Sequence, residues 1–184
     1  MTFCGSERIK NQVVYGYNPC YNKKKESNTS YDKNQRFFTT KKKDRTCPRK
    51  RFQEDLIAQL NQWREYGDRL IVCLDTNENI YNKIIGKKLT DREGLAMSEV
   101  VREFTCKNFG STYFRGSTPI DGVWATSDVT VVGACVMPVG YGVGDHRSFI
   151  IDFLKSCLVG ASPPSIVRSA ARRLNSRIPA AAED

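Results

Sequence analysis

The sequence predicts an α/β fold in which a mixed or antiparallel sheet is flanked by helices. Three observations predict it. Leu70-Ile71-Val72-Cys73-Leu74 is a short apolar run that breaks into polar Asp75-Thr76-Asn77, the pattern of a buried strand entering a loop. Ahead of it, Phe52, Leu56, Leu60 and Trp63 recur at helical spacing. Residues 13–17 supply an earlier strand, so the order is strand, insertion, helix, strand.

The elements follow in order. Residues 1–11 read as a loose lead-in. The strand at 13–17 stops at Asn18-Pro19, because proline has no N–H for a ladder. Residues 21–47 form a long basic insertion with little to bury and are expected to be mobile. Its aromatics Tyr21, Tyr31, Phe37 and Phe38 suit either stacking on bases or anchoring the loop to the core. Pro48 suits the first turn of the next helix, and Gly67 suits its end. After the strand at 70–74, residues 83–88 read as a short basic helix or loop. Residues 93–104 read as a helix, on Leu95, Val100, Val101 and Phe104. Short strands are expected at 111–114, 119–126, 128–136 and 149–153, with the second and third forming a hairpin. Pro163-Pro164 marks a break before a basic helix at 166–174 and a frayed end at 178–184. The expected division is a domain at 1–156 and a basic tail or linker at 157–184.

Composition narrows the function. A chain of 184 residues with 40% hydrophobic content suits a domain with an ordinary core. No apolar stretch approaches a membrane span or a signal segment, so no membrane partner is expected. Seven cysteines, an odd number without a C-x-x-C pair, argue against a zinc cluster or a secreted disulfide framework. A reducing nuclear or cytoplasmic setting is expected. The net charge of +9 is local: residues 1–51 hold 14 Lys/Arg against 4 Asp/Glu, and residues 52–184 hold 15 against 16. Such a field attracts phosphates, most simply nucleic acid, and also suits a solubilising loop. Lys23, Lys24, Lys25, Lys41, Lys42 and Lys43, with Arg147, are the candidate contacts.

The chemistry gathers at segment ends. Asp75 and Asn77 close the central strand, Asp121 opens a later one, and Asp145-His146 follows the glycines at 140, 142 and 144. Asp75 and Asp145 are hard oxygen donors suited to Mg²⁺ or Mn²⁺, and His146 is the only histidine. His146 would stabilise a phosphoryl oxygen or shuttle a proton, with Asp121 orienting it. The reaction this set suits is attack of water on a phosphodiester. An Asp-x-Asn at a strand end also forms an Asx turn, and Glu78 reads most simply as a loop residue.

In this order the motifs resemble the endonuclease/exonuclease/phosphatase superfamily, the DNase I-like and AP-endonuclease-like fold. Leu74-Asp75-Thr76-Asn77 resembles its Gly-Asp-x-Asn motif, with leucine in place of glycine. Ile120-Asp121-Gly122-Val123 resembles its Ile-Asp-Tyr-Ile-like strand, Gly144-Asp145-His146 its Ser-Asp-His motif, and Tyr17-Asn18-Pro19-Cys20 its Tyr-x-Pro-Asn region. The resemblance implies a partial four-layer α/β sandwich and a divalent cation. It implies that Asp75 positions the attacking water, Asn77 and Tyr17 approach the phosphate, and Asp145 binds metal with Asp75. His146, supported by Asp121, would then pair with the transition-state oxygen. It also implies that the family's first half, with its metal-binding glutamate, is absent. The chain is then expected to expose an inner apolar face, to self-associate or to need a complementing half, and to have impaired activity. Arg115-Gly116-Ser117-Thr118-Pro119-Ile120-Asp121-Gly122 resembles endonuclease domains of retroelement-type proteins, which points to DNA. A phosphomonoesterase of the same superfamily and a non-catalytic nucleic-acid-binding remnant are the alternatives.

Overall fold

The computed structural model describes residues 2–4, 10–20, 29–42, 45–142 and 144–159; for 2–4 and Lys42 only the backbone is described. Lys23, Lys24, Lys25, Lys43, Tyr21 and the expected helix at 166–174 lie outside the described residues. Among the described residues the strands are β1 (Thr2–Cys4), β2 (Lys10–Tyr17), β3 (Arg69–Asp75), β4 (Ser98–Glu99), β5 (Asp121–Ala125), β6 (Val131–Val136) and β7 (Phe149–Phe153). The α-helices are α1 (Ser30–Phe37), α2 (Pro48–Glu65), α3 (Ile84–Thr90), α4 (Val100–Thr105) and α5 (Lys155–Val159), with a π-helical turn at Phe38–Lys42.

Five strands form one mixed sheet in the order β1-β2-β3-β5-β4, with only the β2–β3 pair parallel. The strand alternation of β3 divides its apolar residues between two layers. Leu70, Val72 and Leu74 face α2 and α3 and build a core with Leu60, Ile85, Leu89 and Trp124. Ile71 and Cys73 face the other way, toward β6 and β7, which pair antiparallel as a separate two-stranded sheet. No described helix is long and apolar enough to cross a membrane.

Five expectations change. Residues 1–11 are not all a loose lead-in: Thr2–Cys4 pair as β1 with β2, which itself begins at Lys10. The strands at 119–126 and 128–136 do not form a hairpin. Both sides of β5 are taken, by β3 and β4, so β6 pairs with β7 in the second sheet. Residues 93–104 are not one helix. Residues 92–95 form a turn, Ala96 takes φ +48°, Leu95 and Met97 are buried on either side of it, and Glu99 starts a helix of six residues by accepting hydrogen bonds from the Val101 and Arg102 amides. The strand at 111–114 reduces to a bridge between Tyr113 and His146. The described part of the insertion at 21–47 holds α1, whose Thr29–Asp32 capping box satisfies its first amides. Phe38 reaches a groove beside Val14, Phe52 and Leu56, as an anchor would.

Candidate active site

The register builds the site. Tyr17, Asp75 and Asp121 are partners in one row across β2, β3 and β5. Residues so paired project to the same face, here the face that carries Ile71, Cys73 and Val123. A cleft of about 580 Å³ lies between this face and β7, lined by Val13, Ile71, Val123, Phe149 and Ile151. Asp75 and Asp121 also line it.

The loop after β3 is tightly specified. The Asn77 amide donates to Asp75 Oδ1 at 3.0 Å, an Asx turn, and Asn77 adopts φ +48°, where asparagine is favoured among side chains. Thr76 is fully buried; its amide donates to the Ile120 carbonyl at 2.7 Å, which ties the loop to the approach of β5. Buried Asn18 donates from its backbone to the Asp75 carbonyl at 2.8 Å and from Nδ2 to the Thr76 carbonyl at 2.8 Å. Asn77 Nδ2 donates back to the Asn18 carbonyl at 2.9 Å. The loops after β2 and β3 are therefore one hydrogen-bonded unit.

His146 arrives from the other side. Its Nδ1 lies 2.8 Å from Asp121 Oδ2. The Thr112 hydroxyl, fully buried, accepts from the Ile120 and Asp121 amides, each at 3.0 Å. The Thr112 carbonyl accepts from the Arg147 amide at 2.7 Å, and the Asp145 carbonyl accepts from the Phe114 amide at 2.8 Å. The Tyr113 ring lies 5.2 Å from the imidazole. Thr112 thus holds Asp121 and the His146 loop together.

Asp75, Asp121 and His146 each offer a ligand atom, all within 4.8 Å of one another. Burial pushes the Asp75 carboxyl up, and the Asp121 charge adds to this; the Asn77 amide, His146 and Arg49 oppose it. Burial pulls the His146 imidazole down, but the Asp121 hydrogen bond and the Asp121, Asp75 and Asp145 charges raise it above the ordinary histidine value. Carboxylate and imidazolium therefore support each other here.

Other candidates stand apart from this trio. Asp145 is exposed and outside the three-residue group, although its charge reaches His146. Tyr17 is 47% exposed beside Asp75 in the register. Lys41 is exposed on the π-helical turn, and Lys42 belongs to the same turn. The Arg147 guanidinium donates to the carbonyls of Met137 (2.6 Å), Val136 (3.1 Å) and Ser111 (3.2 Å), which commits it to the backbone. Sequence reasoning passed over Asn18, Arg49, Glu78 and Thr112 as site residues. Asn18-Pro19 after a strand was the local signal; it reads as a strand stop and as part of the Tyr17-Asn18-Pro19-Cys20 resemblance, neither of which marks Asn18 itself.

No family model matches the chain, and no curated protein matches it. Among solved structures it is similar to the human Nocturnin catalytic domain with bound sulfate anion, with a TM-score of 0.52 and 17% sequence identity. The match covers 83% of this chain and 50% of that one, so the chain spans about half the length of that domain. The neighbour has an endonuclease/exonuclease/phosphatase-type fold. The likeness is one of fold: this chain is a mixed α/β structure with sheets flanked by helices, resembling part of a DNase I-like domain.

Proposed function

We propose that the chain carries a metal-dependent phosphodiester hydrolysis site, of the DNA endonuclease type. The observation that supports it most is the convergence of Asp75, Asp121 and His146 to within 4.8 Å, with both carboxylates lining the cleft, on a fold like that of a neighbour with bound sulfate. Sulfate is a tetrahedral oxyanion, as phosphate is.

The donor set fits a divalent cation. Asp75 spends Oδ1 on the Asn77 amide and Asp121 spends Oδ2 on His146, so each retains a second carboxylate oxygen. Asp75 and Asp121 would hold Mg²⁺ or Mn²⁺; when bound, it neutralises charge on the phosphate oxygens. The rest is work for the chain itself. Asp121 fixes the imidazole through Nδ1, which leaves Nε2 to hold a proton toward a phosphoryl oxygen. Asp75, with its carboxyl raised by burial, is suited to orient water and accept its proton. Asn77 has its Nδ2 engaged with Asn18 and offers Oδ1 and a second amide hydrogen.

The surplus charge of residues 1–51 favours a polyanion over a small phosphomonoester. The test is incubation with supercoiled plasmid and Mg²⁺ or Mn²⁺, beside EDTA, Asp121→Asn and p-nitrophenyl phosphate arms. Metal-dependent nicking lost in the variant supports the reading. Turnover of the small phosphomonoester alone moves the assignment to a phosphatase. No turnover of either by folded protein overturns it.

A further inference from the structure

Arg49 is the second residue of α2, distant in sequence from every motif above. Its Nη2 lies 2.9 Å from the Thr76 carbonyl, 3.2 Å from the Asn77 carbonyl and 2.8 Å from Glu78 Oε2. Its Nη1 lies 3.5 Å from the Pro19 carbonyl. One guanidinium therefore spans the loop after β2 and the loop after β3. Glu78 is more than a loop residue: its Oε1 accepts from the Ile85 amide at 2.8 Å, in the first turn of α3. Both side chains of the pair are largely withdrawn from solvent, at 22% and 12% exposure.

The geometry points to a specific role. Asn77 must hold φ +48° while its neighbour Asp75 faces the cleft, and two carbonyls of this turn point at one cation. Without Arg49 those acceptors and the Glu78 carboxylate lose their shared donor, so the turn has fewer constraints on its strained residue. A lysine would keep the charge on one nitrogen but lose the pair of nitrogens that reaches both loops, Nη2 the turn after β3 and Nη1 the Pro19 carbonyl. The guanidinium is engaged with the protein, so it is not aimed at substrate.

We propose that Arg49, braced by Glu78, is a positioning residue that sets the Asp75–Asn77 turn for phosphodiester hydrolysis. The inference rests on the hydrolytic reading for its kinetic consequence alone; the positioning itself is measurable without turnover.

The test uses the full chain with Arg49→Met, Arg49→Lys and Glu78→Gln. Each is examined by thermal unfolding, by steady-state cleavage of a DNA duplex with Mn²⁺, and by the NMR signals of the Asn77 side-chain amide. Arg49→Met is expected to lower kcat by about 10²-fold, the scale of a small misplacement, with KM changed less than about threefold. Millimolar guanidinium is expected to restore part of the rate to Arg49→Met and none to Asp121→Asn. Arg49→Lys, which keeps the charge, carries the same comparison where Arg49→Met does not fold. A kcat that is unchanged in folded variants, or falls without any guanidinium response, overturns the proposal. Where the wild type cleaves nothing, the hydrolytic reading fails and NMR decides the positioning. Displaced Asn77 amide signals over unshifted β3 and β5 backbone signals support it, and unshifted Asn77 signals overturn it.

Discussion

The two faces of the five-stranded sheet differ in how completely they are covered. On the α2 and α3 side, Leu60, Leu70, Val72 and Ile85 are fully buried and Trp124 nearly so. On the β6 and β7 side, Ile71 and Val123 are buried, but Cys73, Phe149, Ile151 and Phe153 are only partly so, and Tyr15 is 76% exposed. The same strands supply both faces, so composition does not explain the difference. The closed face is covered by α2 and α3, while the open face meets β6 and β7, Val100 of α4 and Leu158 of the short α5, with the cleft left between them. Asp75 and Asp121 follow the alternation onto the open face, which gives charged groups water and room. Buried apolar packing is concentrated on one side of β3, and the Asp75–Asp121–His146 cluster lies on the other.

Substitutions on each side test that division. Trp124→Ala on the closed face should cost about 3–5 kcal/mol in denaturant unfolding, because a large side chain is removed where nothing can collapse to replace it. Asp121→Asn on the open face should lower cleavage by about 10²–10³-fold, the scale of losing one aligned stabilising group, with little change in the unfolding midpoint. Phe149→Ala lies between the two. It is only partly buried, so its cost should be about half that of Trp124→Ala. Equal costs for Trp124→Ala and Phe149→Ala would break the comparison.

The smallest effect concerns Cys73. Burial pushes its thiol up to about 11. Its folded value lies above the unfolded one, so its contribution to stability is complete below about pH 9 and fades as pH rises toward 11. Alkylation at pH 8 should therefore be slow at Cys73. It should be faster at exposed Cys47, whose thiol burial would raise but which the Tyr31 hydroxyl, nearby amides and Arg49 bring below the ordinary value. Mass spectrometry of the labelled peptides reads the order, and equal rates would place Cys73 in open solvent.

Local pattern carried part of this design. The apolar run at 70–74 marks β3 because five such residues cannot stay in water, and Pro48 marks the start of α2 because its missing N–H costs nothing there. Asp75, Asn77, Asp121 and His146 were legible as candidates by residue type. That they meet was expected from the order of the motifs, with Asp121 orienting His146; the row that sets Asp75 beside Asp121 was not legible, since it depends on register between β3 and β5. Arg49 and Thr112 were illegible for the same reason: each acts through backbone groups distant in sequence, and an isolated arginine or threonine carries no local trace of that. The hairpin expected between 119–126 and 128–136 failed because sequence adjacency says nothing of strands already paired on both sides.

Mn²⁺ titration followed by NMR tests the central claim most directly. The account predicts saturable binding that broadens signals of Asp75, Asp121, Gly122 and His146, spares Leu60 and the rest of the closed face, and disappears in Asp121→Asn. Broadening centred elsewhere, or no saturable binding by the folded protein, would contradict a metal-dependent site at the end of the open face.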